Sequence, residues 1–541
     1  MFSPDRSAVS PHRGWWVVAA ALLGLHVVLA WLGRDAGVAT GEDPAKYISL
    51  GRELVGFSYR DVDMVGEPLH YRYPPGYPAV LAVASLASSS LDWLLFVTIA
   101  CSAAALGFFC LAVARAWNAR FAILLLAALA VNPVIVGLAG AVSAETPFML
   151  WLAIALWGTT RETPGAPWYT GAAGILAALT RSAGVVVVPA LVAYWIWRRQ
   201  WRAALVFSLA AILTVGAWQV HSVSAPSQYV GDSYAADFVR GGERATDRVG
   251  ASGLITNIVG RVWTNSQWYL VRGLPPRIPL PSIPGTPIDN AAHLLILVAG
   301  LGVGVVVIAR RWPAALALIV FYGGLLAVWP WQVSRFLAPV VPLLVLAVLT
   351  AASTVAGRFW AGSGPRVAAA LGAVIIVTGG VRTAELLGRA AACDRSGGPT
   401  AAGCLTTEQD AYLRVVAFIG DSTARDAIVL SAKPASVHHF SGHQSVPHRA
   451  VTQLSASEYL PFLRSRAVRY VLLGTVHATE LNAYRRLIES NCSALTLRTA
   501  IAPYAFLFEL GDPPPDDGVV ACKAVALHMR ATQGYSFEVP R

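Results

Sequence analysis

The stretch WWVVAAALLGLHVVLAWLG, residues 15–33, decides the fold class. It contains no Asp, Glu, Lys or Arg, and it is long enough to cross a lipid bilayer as a helix. The whole 541-residue chain has the same character, since 56% of its residues are hydrophobic, 13% are charged and the mean hydropathy is +0.56. A soluble domain of ordinary composition carries less apolar surface. The sequence therefore predicts a polytopic α-helical membrane protein.

A search with a window of about twenty residues predicts about eleven membrane spans. The apolar stretch 76–90 is too short to span, so we expect it to lie along the outer surface. The predicted spans cover residues 15–33, 91–114, 121–140, 145–160, 167–181, 183–197, 203–222, 291–309, 313–329, 337–357 and 367–388.

The arginines indicate the orientation of these spans. A basic arm with Arg6 and Arg13 precedes the first span, which predicts a cytoplasmic N-terminus. An odd number of spans then places everything after about Leu387 outside the cytoplasm. Every predicted inner turn carries arginine, namely Arg115 and Arg120, Arg161, Arg198, Arg199 and Arg202, Arg310 and Arg311, and Arg358 and Arg366.

The formal net charge of +11 does not indicate a nucleic-acid partner. The arginines punctuate hydrophobic runs, whereas a nucleic-acid-binding domain gathers them on one soluble face. We therefore expect membrane lipid as a partner and no nucleic acid.

Two domains are predicted, a transmembrane domain over 1–389 and a small extracytoplasmic α/β domain over 390–541. The first has outer loops at about 34–90 and 223–290, and the second loop contains the run LPPRIPLPSIPGTP. The periodicity of the C-terminal region predicts strands at 426–432, 468–474 and 506–510 and helices near 407–418, 456–466 and 479–490.

Four of the six cysteines, Cys393, Cys404, Cys492 and Cys522, lie in this C-terminal domain. An even number in an oxidising compartment predicts two disulfides. The short spacing favours Cys393 with Cys404, which leaves Cys492 with Cys522. The alternative is four free thiols in a domain that needs no cross-link.

A polar motif, GEDPAKY at 41–47, follows the first span on its outer side and precedes YRYPPGYP at 71–78. A carboxylate such as Asp43 at a membrane surface needs water or a basic partner. Lys46 lies about one helical turn beyond it, so both can face one cleft. The alternative interpretation is a solvated loop carboxylate or a helix N-cap, because Asp43 precedes Pro44.

These motifs, in this order and on this side of the membrane, resemble the GT-C superfamily of integral-membrane glycosyltransferases. The protein O-mannosyltransferases and the bacterial lipid A aminoarabinose transferases are the most similar groups. Three further stretches fit the resemblance: SAETPFML at 143–150, GAAGILAALTRSAG at 171–184 and SRFLAPVVPLL at 334–344. With the C-terminal domain, the resemblance covers most of the chain.

The resemblance implies a function and a location. Members of this group transfer a sugar from a polyprenyl-phosphate carrier to an acceptor on the outer side of the membrane, which for this chain would be an envelope lipid, glycan or protein. It implies a multi-pass protein of the cell inner membrane with a periplasmic C-terminal domain. It also implies that Asp43 is the catalytic residue, and a carboxylate at a membrane-embedded cleft is chemically suited to act as the base.

The leaving group would be a lipid phosphate, which requires positive charge on the outer side. The predicted phosphate-binding residues are Lys46, Arg72, Arg181 and Arg335. Relatives often carry a basic residue directly before the Pro-Pro pair, where this chain has Tyr73, so Arg72 is expected to substitute only in part. For Arg181 and Arg335, the alternative is anchoring at the lipid headgroups.

Tyr47, Tyr73 and Glu145 are predicted to bind substrate. Glu145 opens a predicted span and would orient the acceptor or bind a cation. Alternatively, it favours a helix N-terminus through the helix dipole, with Ser143 as the capping residue.

No metal or other cofactor is predicted. His438, His439, His443 and His448 crowd one segment, but the segment contains no carboxylate or thiolate to complete a familiar zinc site. A divalent cation is compatible with the sequence but is not indicated by it. The glycine pattern GLGVG at 300–304 lies inside a predicted span, which indicates close helix packing and not a nucleotide loop.

Two other classes of function stay open. A secondary transporter or lipid flippase would also have many spans, although transporters place their polar residues near the bilayer midplane. A non-catalytic envelope scaffold would use the exported domain to bind a partner.

Overall fold

The computed structural model describes residues 13–34, 42–224, 234, 238, 251–280, 287–395, 405–451, 454–474, 488–511 and 522–525. The chain divides into two compact units. The first, here called the helical unit, comprises Met1–Asp35, Tyr73–Ser224 and Asp237–Ala391. The second, here called the α/β unit, comprises Ala36–Arg72, Ala225–Ala236 and Ala392–Arg541.

The helical unit consists of α-helices joined by short 3₁₀ and π segments. The short segments are Ser182–Val186, Ile212–Gly216, Tyr269–Gly273 and Ser334–Val340. The α-helices are Arg13–Leu32, Gly76–Ser85, Leu91–Ala116, Ala119–Ala130, Pro133–Ala139, Glu145–Thr159, Ala166–Thr180, Val187–Trp197, Trp201–Ala211, Ala217–Ser224, Ala251–Trp268, Pro287–Arg311, Pro313–Val328, Val341–Phe359 and Gly364–Arg395, the last of which ends beyond the unit.

By length and apolar composition, five helical stretches within the described residues can cross a membrane: Arg13–Leu32, Leu91–Ala116, Trp201–Ser224, Ser334–Phe359 and Gly364–Cys393. Shorter apolar helices occur at Gly76–Ser85, Ser182–Trp197 and Pro313–Val328. The helical, strongly apolar character expected from the sequence is confirmed. The number of about eleven spans stays a prediction.

The span predicted at 121–140 is not one straight helix. It is divided into Ala119–Ala130 and Pro133–Ala139, whose axes differ by 65°. Proline cannot continue a helix from the preceding residue, and the Asn132 side chain accepts hydrogen bonds from the backbone of Val134 and Ile135. Asn132 also donates to the backbone oxygen of Arg277 at 2.9 Å, so its amide is fully used at the break.

The glycines of GLGVG allow two helices to approach closely, as the sequence predicts. A Cβ on Gly304 would overlap the backbone oxygen of Ala347, and one on Gly300 would meet the side chain of Val348 at 3.6 Å. Close packing of this kind replaces the hydrophobic driving force that is lost in lipid. The helix Pro287–Arg311 therefore packs against Val341–Phe359 through these small residues.

The α/β unit is built on a five-stranded mixed sheet with the strand order β2-β1-β3-β5-β4. The strands are β1 (Ile428–Ser431), β2 (Ser445–Pro447), β3 (Val468–Gly474), β4 (Leu495–Ile501) and β5 (Ala505–Leu510). β1 pairs with β2 and β3 in parallel, and β5 pairs with β3 and β4 in antiparallel orientation.

Within the described residues, the α-helices of this unit with defined bounds are Glu42–Val55, Thr407–Ser422, Pro434–Ser441 and Ala456–Ser465. The central strand β3 is almost fully buried, and both of its neighbours carry apolar side chains into the core. A capping box at Thr406 and Gln409 fixes the start of Thr407–Ser422. The three strands and two of the three helices predicted here are confirmed, and most of the predicted helix 479–490 lies outside the described residues.

The sequence does not reveal that residues 42–72 belong to the α/β unit. Met64 forms a parallel bridge with Ser445, and the backbone N–H of Ser445 donates to the oxygen of Asp63 at 2.8 Å. Met64 and Val65 pack on the core of the sheet. The segment that the sequence assigns to a first outer loop therefore extends the sheet edge beside β2.

The α/β unit contains a disulfide between Cys492 and Cys522, whose Cα atoms are 5.5 Å apart. This is one of the two pairs expected from the sequence. The pairing of Cys393 with Cys404 stays a prediction, because Cys404 lies outside the described residues.

Candidate functional site

Three residues predicted separately from the sequence meet in the helical unit. A terminal nitrogen of Arg181 lies 2.5 Å from a carboxylate oxygen of Glu145, and Nε of Arg335 lies 3.5 Å from the same oxygen. The three come from three of the motifs that carry the GT-C resemblance. We call Glu145, Arg181 and Arg335 the Glu145 cluster.

Glu145 is the first residue of the helix Glu145–Thr159, and its side chain is buried. The N-cap residue is Ala144, which has no side-chain capping bond. The expectation that Ser143 caps this helix is therefore wrong, because its hydroxyl donates instead to the backbone oxygen of Leu138 at 3.2 Å. The carboxylate near the helix N-terminus is stabilised by the helix dipole as well as by the arginines.

Arg181 occupies a sharp junction between the helix Ala166–Thr180 and the 3₁₀ segment that follows it. The N–H of Gly184 donates to the backbone oxygen of Arg181 at 2.7 Å. A Cβ on Gly184 would overlap the backbone of Ala177, so only glycine allows the chain to turn this closely against the preceding helix. The guanidinium of Arg181 also lies 4.8 Å from the centre of the Phe336 ring, a favourable cation–π distance.

Arg335 is carried by a loop that polar side chains hold at several points. The amide of Asn265 donates to three backbone oxygens, of which Trp329 is the nearest at 2.7 Å. The hydroxyl of Tyr322 donates to the backbone oxygen of Phe336 at 2.8 Å. These bonds hold the backbone on both sides of Arg335.

The exposure of the three side chains differs. The exposed fraction is 4% for Glu145, 11% for Arg181 and 46% for Arg335. The buried carboxylate thus orients two guanidinium groups, of which one is accessible from outside the unit. A planar guanidinium is well suited to bind phosphate in a bidentate manner. The cluster can therefore present a charged donor to an anionic ligand.

A second cluster of charges, here called the Lys46 cluster, lies in the α/β unit. It comprises Lys46, Asp61, Asp63 and His70, all of which are buried. The ammonium of Lys46 lies 2.8 Å from Asp61 Oδ1 and 2.6 Å from both oxygens of Asp63. His70 Nδ1 lies 2.7 Å from Asp61 Oδ1. Lys46, which the sequence predicts to bind the donor phosphate, is therefore already paired with buried carboxylates.

In this cluster, electrostatic pairing outweighs burial in its effect on the pKa values of Lys46 and Asp61. Burial alone would raise the pKa of Asp61, but Lys46 and His70 beside it hold that pKa well below its usual range. Burial alone would lower the pKa of Lys46, and the carboxylates of Asp61, Asp63 and Glu42 raise it above its ordinary value. Lys46 and Asp61 are thus held in their charged forms.

Asp43 is the second residue of the helix Glu42–Val55 and is half-buried. It lies in the first helical turn and not in a loop, which corrects the loop interpretation. Its carboxylate near the helix N-terminus is favoured by the dipole. The helix also brings Lys46 into the turn that follows, as the spacing predicts.

Glu42, next to Asp43, was not singled out from the sequence. Its Oε1 accepts a hydrogen bond from the backbone N–H of Ala435 at 3.0 Å, in the first turn of the helix Pro434–Ser441. That helix has no side-chain cap of its own at Lys433. The pKa of Glu42 is raised to about 7, mainly by burial and in part by nearby Asp63, against the opposing effect of Lys46.

The other predicted site residues lie as follows. Tyr47 is buried on the helix Glu42–Val55 of the α/β unit. The guanidinium of Arg72 lies 4.8 Å from the ring centre of Tyr234, within the same unit. Tyr73 is buried in the helical unit. The substrate-binding roles of Tyr47 and Tyr73 and the phosphate-binding role of Arg72 stay predictions.

The histidine-rich segment is divided between a helix and the two ends of β2. His438 and His439 lie on the helix Pro434–Ser441, while His443 and His448 flank β2. Within the described residues, no group of three or more His, Cys, Asp or Glu side chains is arranged to hold a metal ion.

Solved structures similar to this chain are large membrane enzymes. ArnT from Cupriavidus metallidurans bound to undecaprenyl phosphate aligns with a TM-score of 0.51 and 14% identity, over 93% of this chain and 99% of that one. The oligosaccharyltransferase of Archaeoglobus fulgidus, tethered to an acceptor peptide, aligns with a TM-score of 0.54 and 12% identity, over 93% of this chain and 75% of that one. Its complex with zinc and sulfate gives a TM-score of 0.55 at 13% identity.

The chain shares its fold with these ArnT and oligosaccharyltransferase structures. The shared fold extends over more than nine-tenths of the chain. No protein-family model matches the sequence, and no curated protein matches it. At these identities the similarity establishes the fold alone, while substrate and catalytic residues are matters for proposal.

Sequence reasoning missed Asp61, Asp63 and His70, which complete the Lys46 cluster. The signal is present in the segment YRDVDMVGEPLH, where two aspartates alternate with apolar residues after the GT-C motif around Asp43. Alternation of this kind places both carboxylates on one side of an extended chain. Their partner Lys46 is on a helix, so only the folded chain shows the pairing.

Proposed function

We propose that this protein is a glycosyltransferase that moves a sugar from a polyprenyl-phosphate carrier to an acceptor on the outer face of the cytoplasmic membrane. The acceptor would be an envelope lipid, glycan or protein. The protein would be multi-pass, with residues 390–541 forming an extracytoplasmic α/β domain. The shared fold supports this proposal, and the Glu145 cluster carries it.

The Glu145 cluster supports a role in binding the lipid phosphate. Arg181 lies 36 residues after Glu145 in the sequence, and Arg335 lies 154 residues after Arg181. One carboxylate oxygen of Glu145 nevertheless contacts both guanidinium groups. Simple headgroup anchoring would not require a buried carboxylate that orients the side chains. We assign direct phosphate contact to Arg335, which is accessible, and a supporting role to Arg181, which is largely buried.

Asp43 is proposed as the catalytic base. It would accept the proton of the acceptor hydroxyl as that oxygen attacks the anomeric carbon, while the carrier phosphate leaves with the bonding electrons. Its place in the first turn of a helix holds the carboxylate on a rigid element. Arg72 is proposed as a further phosphate contact, and Tyr47, Tyr73 and Glu145 as residues that shape the substrate site.

Lys46 is assigned a different role from the one expected. Its ammonium already donates to Asp61 and Asp63 at hydrogen-bond distance. We propose that it acts on the donor indirectly, by holding these two carboxylates and the first turns of the helix that carries Asp43.

Mass spectrometry of membrane lipids and envelope glycans, from strains with and without the protein, would test the proposal. A transferase predicts that one polyprenyl-phosphate sugar accumulates in its absence while one glycosylated product disappears. The purified protein in detergent should then convert that donor to free polyprenyl phosphate. Movement of the intact glycolipid across vesicles without cleavage would indicate a flippase instead, and loss of neither lipid nor product would indicate a scaffold.

The membrane orientation can be tested independently of chemistry. A single reactive cysteine placed after Arg389 should be labelled by an impermeant reagent from the extracytoplasmic side, whereas one at Arg199 should be labelled only after the cells are opened. Cytoplasmic labelling after Arg389 would contradict both the number of spans and the location of the α/β domain.

A further inference from the structure

The α/β unit contains a polar cavity that the proposed transfer reaction does not use. Its volume is about 170 Å³, and it lies between the helices Glu42–Val55 and Pro434–Ser441. One wall carries Ser49, Arg52 and Glu53, and the other carries His438 and His439. We call it the Arg52 cavity. Its walls come from chain segments almost 400 residues apart, so no sequence motif could identify it.

The cavity brings one guanidinium, that of Arg52, together with the imidazoles of His438 and His439. Burial lowers the pKa of His439, and the nearby Arg52 and His438 lower it further. Within the described part of the chain, no carboxylate raises the pKa of His439 against the effects of burial, Arg52 and His438. Glu53 lines the same wall as Arg52, but its carboxylate is not among the groups that shift the pKa of His439.

The second wall of the cavity, on the helix Pro434–Ser441, carries a nitrogen atom that lacks a hydrogen bond within the described residues. The Nδ1 atom of His438 is buried and has no hydrogen-bond partner within the described residues. A buried polar atom without a partner costs about 1–3 kcal/mol, so such atoms are usually met by water or a ligand. Arg52 and His439 are exposed enough for an entering molecule to contact them.

We propose that the Arg52 cavity binds a phosphate-type oxyanion. A guanidinium and two imidazoles supply several N–H donors on the two sides of one cavity, and phosphate oxygens accept such bonds strongly. A bound dianion would also favour the protonated form of His439, which the neighbouring Arg52 disfavours. The cavity has room for a phosphate group with its ester oxygen and ordered water. This site does not depend on the transfer reaction, because its residues have no role in that chemistry.

Titration of the full-length protein with inorganic phosphate tests the proposal. With ¹³C-labelled histidine, the His439 resonance is identified by its loss in His439→Gln. We expect saturable binding that raises the pKa of His439, because the anion favours the protonated ring. Sodium chloride at matched ionic strength should produce no comparable change.

Substitution then assigns the binding to these residues. Arg52→Gln should weaken phosphate binding by about tenfold or more, since hydrogen bonds to charged groups are strong. His439→Gln should weaken it independently, as measured by calorimetry. Arg414→Gln, at an exposed arginine on another helix of the same unit, is the matched control and should bind like the unaltered protein. Glu53→Gln should bind phosphate at least as tightly.

Two sources of the phosphate are separable. Nanodiscs of phosphatidylglycerol, compared with nanodiscs of phosphatidylcholine, should compete with inorganic phosphate if the natural ligand is a lipid headgroup. Lack of competition, with phosphate binding intact, would indicate a soluble phosphate ester. A response to phosphate no larger than that to chloride, or equal phosphate affinity in well-folded Arg52→Gln, would overturn the proposal whatever the outcome of the transfer assays.

Discussion

The Lys46 cluster and the Glu145 cluster use the same types of residue for different purposes. In the first, a cation and two aspartates are all buried, and the lysine side chain is only 4% exposed. In the second, one buried carboxylate contacts two arginines, and the Arg335 side chain is 46% exposed. The comparison teaches that burial, more than residue type, decides whether a basic residue stabilises the fold or meets a ligand.

The physical reason is the cost of desolvation. A charge removed from water must recover its solvation from partners, and loss of one partner leaves the others uncompensated. An exposed charge retains water as an alternative partner, so its loss costs little stability. Substitutions in the two clusters should therefore separate stability from activity.

The largest effect is expected for Lys46→Ala. It leaves Asp61 and Asp63 buried without their cation, which should destabilise the α/β unit by roughly 3–5 kcal/mol. The measurement is the melting temperature and protease resistance of the detergent-solubilised protein. Arg469→Ala is the control, because Arg469 pairs with Glu509 at 3.1 Å on an exposed face and should cost only about 0–1 kcal/mol. Equal melting of the two variants would contradict the structural role of Lys46.

The next largest effect is expected for Asp43→Asn, one helical turn away. The amide keeps the shape but cannot accept the acceptor proton, so transfer should fall by about a hundredfold or more. Melting should stay close to that of the unaltered protein. Sugar transfer is measured with the donor identified from the lipid analysis. Normal turnover by a well-folded variant would exclude Asp43 as the base.

A smaller effect is expected for Arg335→Gln. Because this arginine is proposed to contact the donor phosphate, the KM for the lipid donor should rise about tenfold while melting changes little. Arg272→Gln serves as the control, since Arg272 is an exposed arginine of the helical unit outside the cluster. If both variants have the same KM, then Arg335 acts as a headgroup anchor. The proposed difference in function between the two clusters would then be contradicted.

The smallest effect is expected for Glu42→Gln. The pKa of Glu42 is raised to about 7 in the folded protein, so the folded state binds more protons than the unfolded state between pH 4.5 and 7. Stability therefore decreases as pH rises through this window. The glutamine variant lacks this decrease and should be more stable by about 1 kcal/mol at neutral pH, after allowance for partial exposure.

Melting curves of both proteins at pH 4.5 and pH 7.5 provide the measurement. The difference between them should grow with pH. A difference that is the same at both pH values would show that Glu42 titrates normally and contributes only its bond to Ala435.

Some features follow from the sequence alone because they depend on local composition. Long apolar stretches must be helical in lipid, where every backbone polar group needs an internal partner, so the helical membrane character is readable from hydropathy. The periodicity of 426–432, 468–474 and 506–510 likewise indicates buried strands. The GT-C motifs also identify Glu145, Arg181 and Arg335 as candidates, although each has an alternative interpretation when taken singly.

Only the tertiary structure decides which of these residues share an environment. Three features join segments that are distant in sequence: the bridge between Met64 and β2, the cap that Glu42 supplies to another helix, and the Lys46 cluster. The free energies of these contacts depend on burial and on interatomic distances of a few ångströms. A local sequence pattern contains neither quantity. The sequence by itself thus determined a membrane protein with a GT-C-like set of motifs, while folding decided that Lys46 is a structural cation and that Arg335 is an accessible one.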